Sequence, residues 1–179
     1  MKKFLLFVGE IIKIVILALA IVIPVRYFLI QPFFVRGMSM EPNFQDGQYL
    51  IVDEISYKFS SPRRGDVIVF RYPLKPSEYF IKRIVGLPNE TVKIDNGQIT
   101  VYNIDFPDGM ILDESTYFSD KMASQGTVQF ILGENEYFVL GDNRQASSDS
   151  RQWGVLPGKY IIGRVWVRAW PVDTVKVFF

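Results

Sequence analysis

Tyr79-Phe80-Ile81-Lys82-Arg83-Ile84-Val85-Gly86-Leu87-Pro88 is the stretch on which the fold turns. Aromatic and β-branched residues that end at a glycine and a proline predict a single strand. Strand alternation places Lys82 on the same face as Phe80 and Ile84, with Arg83 on the other, so one of two adjacent cations must approach the core. The plainer alternative is an edge strand from which both heads reach back to solvent.

Outward from that strand, the chain after Phe33 consists of short apolar runs separated by Gly, Pro, Asn and Asp. Strands are predicted at Gln48 to Asp53, Asp66 to Tyr72, Tyr79 to Val85, Thr91 to Ile94, Gln98 to Tyr102, Tyr137 to Leu140 and Ile161 to Trp170. Pro62-Arg63-Arg64-Gly65 marks a turn, and the Asn-Gly pair in Asp95-Asn96-Gly97 predicts a tight type I′ hairpin. The polar stretch from Asp105 to Gly133 has no strand signal and reads as an excursion from the main sheet. Few helices are signalled.

A chain of 179 residues suits one main domain with a small insertion. With 49% hydrophobic and 22% charged residues, disorder is excluded and part of the apolar excess calls for a membrane or a partner. The net charge of +1 lacks the basic bias of a protein that neutralises phosphates, so no nucleic-acid partner is expected. The chain has no histidine and no cysteine. That removes Ser-His-Asp triads, cysteine nucleophiles and Cys/His zinc sites, and no metal or cofactor is expected.

After Lys2 and Lys3, apolar sequence runs from Phe4 to Ile30, interrupted by Glu10, Lys13, Pro24 and Arg26. The uninterrupted part, Ile14 to Val25, falls short of the roughly 20 residues that cross hydrocarbon. Pairing of Glu10 with Lys13, and snorkelling of Lys13, extend it to a span of about Phe7 to Tyr27. A cleaved signal peptide with Ala18-Leu19-Ala20 as its processing site is the alternative, but apolar sequence continues well past Ala20. The lysines ahead of the span place the N-terminus in the cytoplasm and the remainder outside.

Without histidine, a serine hydrolase needs a serine in a constrained turn and a lysine made neutral by burial. Arg36-Gly37-Met38-Ser39-Met40-Glu41-Pro42-Asn43-Phe44 offers such a serine, though an ordinary loop serine fits the same residues. Lys82 is the candidate base. A third stretch, Gly141-Asp142-Asn143-Arg144-Gln145-Ala146-Ser147-Ser148-Asp149-Ser150-Arg151, is either a solvated loop or a rigid shelf of paired Asp and Arg beside a site.

In this order, and together with Arg64-Gly65-Asp66-Val67-Ile68-Val69-Phe70, these stretches resemble the sequence boxes of bacterial type I signal peptidases, serine endopeptidases with a Ser-Lys dyad. The resemblance implies a mostly β fold, with one N-terminal transmembrane helix followed by a two-lobed all-β catalytic unit. It divides the chain into residues 1–30, cytoplasmic N-terminus and anchor, and 31–179, an extracytoplasmic peptidase domain. The latter has a core at 33–90 and 137–175 and a small inserted lobe at 91–136. Carried over by position, Ser39 is the nucleophile, Lys82 the general base and Ser147 the hydroxyl that orients Lys82, while Asp142, Asp149 and Arg151 are structural.

The implied function is removal of signal peptides from secretory pre-proteins after small-x-small sites, at the cell membrane, with the bilayer and the signal peptide as partners. Gly37 and Asn43 depart from the residues that some family members carry there, a serine and a threonine. Two other readings compete. A self-cleaving Ser-Lys regulator shares the chemistry but usually carries a DNA-binding module, and a silent membrane-anchored β domain would need neither Ser39 nor Lys82.

Overall fold

The computed structural model describes residues 2–28, 30–117 and 128–178. Helix α1 spans Lys2–Phe28. It leads into the strands β1 (Ile30–Phe34), β2 (Tyr49–Asp53), β3 (Val67–Arg71) and β4 (Tyr79–Gly86). There follow β5 (Thr91–Asp95), β6 (Gln98–Tyr102), β7 (Met110–Ile111), β8 (Val128–Ile131) and β9 (Glu136–Leu140). A one-turn helix α2 (Ser150–Trp153) precedes β10 (Leu156–Pro157), the long β11 (Ile161–Trp170) and β12 (Lys176–Val177). The chain is mostly β, as its sequence predicts.

Two antiparallel sheets result. The larger runs β1-β2-β11-β3-β4-β9-β10, with β12 paired to β11, and the smaller runs β7-β6-β5-β8. In the larger sheet β4 lies between β3 and β9, with Lys82 opposite Ile68 and Arg83 opposite both Val67 and Leu140. The edge-strand alternative for Tyr79–Gly86 therefore fails, and the expectation that one cation approaches the core is exceeded. Lys82 is 4% and Arg83 8% exposed, because both faces of this central strand are covered.

Cross-strand apolar residues make the core. Val35, Met40, Phe44, Leu50, Val52, Val67, Val69 and Val165 pack as one cluster under β1, β2 and the turn that follows β1. Phe44 and Val52 are fully buried, and a Phe→Ala change at such a site costs about 3–5 kcal/mol. In a second cluster, Val92, Ile94, Ile99 and Val101 of the smaller sheet pack with Val85, Phe138 and Leu140 of the larger. The inserted strands thus share a core with β4 and β9.

The Asn96-Gly97 hairpin forms as expected: both residues have positive φ, 47° and 80°, between the closing pair Asp95 and Gln98. The reading of Asp105 to Gly133 as irregular is corrected in part. Met110–Ile111 pairs with β6 and Val128–Ile131 with β5, since the smaller sheet supplies partners for strands too short to signal themselves; residues 118–127 of that stretch lie outside the described residues. Ile30–Phe34 also departs from expectation. It is not among the predicted strands, yet it pairs with β2, with Phe33 opposite Leu50.

Among the described residues no helix is long and apolar enough to cross a membrane. The helix α1 covers the predicted span of about Phe7 to Tyr27.

Candidate active site

The turn after β1 is built to hold Ser39. Gly37 adopts φ 84°, a conformation that a side chain would strain, and its N–H donates to Asp46 Oδ1 at 2.6 Å. Met40 and Phe44 on either side of Pro42 are buried, with the Phe44 N–H donating to Met40 O at 2.9 Å. Ser39 is thereby fixed between the exposed Met38 and the buried Met40.

From the centre of β4, Lys82 reaches this turn. Its Nζ lies 2.8 Å from Ser39 Oγ and 2.8 Å from Ile81 O, and 5.3 Å from the centre of the Phe80 ring. Burial removes water from the ammonium and lowers its pKa from 10.5 to about 8, against the opposing pull of Asp149 and then Asp142. Serine and lysine are 43 positions apart in sequence. Both line a cleft of about 600 Å³ whose walls also include Phe33, Val35, Tyr79, Phe80 and Ser148. Another hollow of about 520 Å³, beside Tyr57, Ser60, Asn135 and Lys159, lies away from both.

The third stretch is a rigid shelf. Asp142, fully buried, accepts from Arg83 Nε at 2.8 Å and Nη2 at 2.6 Å, a two-point ion pair. Asp149 caps the one-turn helix and accepts from the Gly141 N–H at 3.0 Å and from Arg151 Nε at 2.8 Å. Arg151 Nη2 also donates to Arg144 O at 2.7 Å. The shelf abuts the serine turn: the Asn143 N–H donates to Ser39 O at 3.0 Å. Gly141 is required there, because a methyl group on it would collide with Ser147 Oγ and Ser39 O.

Ser147 is buried beside this contact, but among the described residues its Oγ has no hydrogen-bond partner. The lysine amine is bonded to Ser39 and Ile81 instead. Sequence reasoning missed two residues outright, Glu114 and Tyr117, which come from the inserted segment and touch Arg144 and Arg83. Nothing in their local pattern marks them, since their partners lie 30 or more positions away. Asn43, noted only as a departure, donates to Asp142 Oδ2 at 2.9 Å and to Tyr117 O at 2.8 Å.

Comparison with known proteins agrees in one direction. The family described as signal peptidase, peptidase S26, matches residues 8–170. Probable signal peptidase I-2 of Synechocystis sp. is 36% identical over 168 residues, covering 91% of this chain and 73% of its own. Signal peptidase IB of Staphylococcus aureus (strain MRSA252) is 30% identical over 190 residues, covering all of this chain and 96% of its own. A crystal structure of a signal peptidase I from Enterococcus faecalis V583 is 28% identical, with a TM-score of 0.47 over 59% of this chain and 97% of that one.

Proposed function

Since the chain belongs to the signal peptidase family, peptidase S26, and is a serine-type peptidase of signal peptides, we propose that Ser39 and Lys82 form its catalytic dyad. The observation that carries this reading is the 2.8 Å contact between a buried lysine amine and a serine hydroxyl that line one cleft. Neutral Lys82 takes the Ser39 proton as Oγ attacks the scissile carbonyl. The resulting ammonium then returns it to the leaving amine, and an attacking water is activated by the same lysine to free the acyl group. The Gly37 N–H is committed to Asp46, and the Ser39 N–H is the backbone donor proposed for the developing oxyanion.

The substrate reading is a pre-protein cut after a small-x-small site, which the family resemblance suggests and the cleft between Phe33, Val35 and Tyr79 accommodates as an extended segment. Residues 1–30 are proposed as a membrane anchor with its N-terminus in the cytoplasm, and 31–179 as an extracytoplasmic unit whose inserted lobe is 91–136. In support, α1 has 27 residues, about 40 Å at 1.5 Å per residue and longer than the ~30 Å hydrocarbon layer. Phe4, Phe7, Ile14, Ile16 and Leu17 on it are exposed. Asp142, Asp149 and Arg151 hold the shelf, and Ser147, buried against Gly141, is proposed as the hydroxyl that orients Lys82.

The test is a labelled pre-protein with Ala at −3 and −1, incubated with the wild-type chain, Ser39→Ala and Lys82→Met. Wild type releases the signal peptide and both variants lose at least about a hundredfold in kcat/KM. Turnover by either variant at the wild-type rate would remove the dyad.

A further inference from the structure

We propose that residues 113–117 of the inserted segment form a latch on the catalytic centre, in which Tyr117 and Glu114 are positioning residues acting on Lys82 through the Arg83–Asp142 pair. The inference rests on the Ser39–Lys82 reading and goes beyond it, to residues outside the three stretches that suggested the dyad.

The latch has three attachments. The guanidinium of Arg83 lies over the Tyr117 ring, 4.1 Å from its centre, a desolvated cation–π contact. The Tyr117 carbonyl accepts from Asn43 Nδ2, the same amide nitrogen that donates to Asp142 Oδ2, so one side chain of the serine turn joins the latch to the buried carboxylate. Glu114 completes the set: it accepts from Tyr117 Oη at 3.0 Å and pairs with the buried Arg144. Arg144 Nε in turn donates to Gly141 O at 2.9 Å, holding the shelf at the residue that touches Ser39 O.

These contacts govern the field at Lys82. The anionic groups that hold its proton on are Asp149 and Asp142, both from the segment after β9. Arg83, next to it on β4, offsets Asp142 through its two-point pair. The same cleft is lined by Arg36, before the serine turn, and Glu78, before β4. Arg83 is held on Asp142 from one side by Gly65 O, at 2.8 Å from Nη1, and covered on its face by Tyr117. Removing the ring lets water and alternative rotamers reach the guanidinium, so that Asp142 acts on the Lys82 ammonium with less compensation and the lysine keeps its proton to higher pH.

The experiment compares kcat/KM as a function of pH for the full chain in detergent micelles, using a fluorogenic peptide with Ala at −3 and −1. Tyr117→Leu moves the governing pKa up by about one unit. Its kcat/KM at neutral pH falls about tenfold while the alkaline plateau stays within about twofold of wild type. Tyr117→Phe keeps the ring over Arg83 and loses only the Oη bond to Glu114, so its profile shifts less than that of Tyr117→Leu. A plateau that drops with no shift in Tyr117→Leu shows a merely structural role and overturns the latch. So does a Tyr117→Phe profile displaced as far as that of Tyr117→Leu, since Phe preserves the ring packing and keeps the test decisive even where Leu weakens the fold. Full activity of Lys82→Met in the same assay removes the dyad itself, a failure distinct from an unmoved Tyr117→Leu profile beside an inactive Lys82→Met.

Discussion

Lys82 and Arg83 are neighbours on one strand, both nearly inaccessible, and the protein treats them in opposite ways. Arg83 is given everything a buried cation needs: two bonds to Asp142, one to Gly65 O and an aromatic face. Lys82 is given a neutral hydroxyl and a carbonyl. A compensated charge stays charged, and an uncompensated one sheds its proton. On the proposed dyad, the two faces of β4 separate holding the site together from doing its chemistry, using residues of the same formal charge.

Exchanging the chemical character of the two cations breaks this contrast most sharply. Lys82→Arg places a guanidinium that cannot deprotonate at the position of the proposed base. Its kcat/KM is expected to fall by about 10²–10⁴ at every pH, whereas wild type rises through an apparent pKa near 8 to an alkaline plateau. The two pH profiles measured side by side decide it, and a Lys82→Arg enzyme with a wild-type-shaped curve would end the argument.

Arg83→Met tests the other face. It leaves Asp142 buried without its partner and should lower stability by about 3–5 kcal/mol, read as a loss in the urea midpoint at constant slope. A loss under about 1 kcal/mol would mean that Asp142 finds adequate partners in Asn43 and solvent.

Lys82→Met, by contrast, should stabilise the fold. With a folded pKa near 8 against 10.5 unfolded, the unfolded chain binds more protons between these values, so wild-type stability rises with pH across that window and carries its full penalty below about 8. The penalty is about 3 kcal/mol, reduced by the two hydrogen bonds the lysine gives up. Urea melts should therefore favour Lys82→Met by about 1–3 kcal/mol at pH 7, and the advantage should vanish above pH 10.5. A variant less stable than wild type at neutral pH would show that the ammonium is welcome where it sits.

Much of this architecture could be read from residue order alone, because its signals are local. The aromatic and β-branched run of Tyr79–Gly86, the Asn96-Gly97 turn and the apolar runs of β2, β3, β9 and β11 each carry their own evidence within a few residues. The candidate dyad could be named only through resemblance, since neither Ser39 nor Lys82 is distinctive by itself. What escaped was non-local. β7 and β8 are strands because β6 and β5 lie beside them, β4 is central because β9 returns to it after some 50 residues, and Tyr117 matters because Arg83 is under it. Periodicity cannot report a partner that is distant in sequence.

Phe33 stands in the cleft wall only five residues after α1 ends at Phe28. At no more than about 3.6 Å per residue, that wall is leashed within roughly 18 Å of the helix terminus. With α1 embedded as proposed, the leash works as a ruler: it fixes the altitude of Ser39 over the lipid surface. Chains that emerge from the same bilayer with their scissile bond a similar distance beyond their own helix would arrive already level with the nucleophile. Selection would then begin with height, before any side chain has been felt.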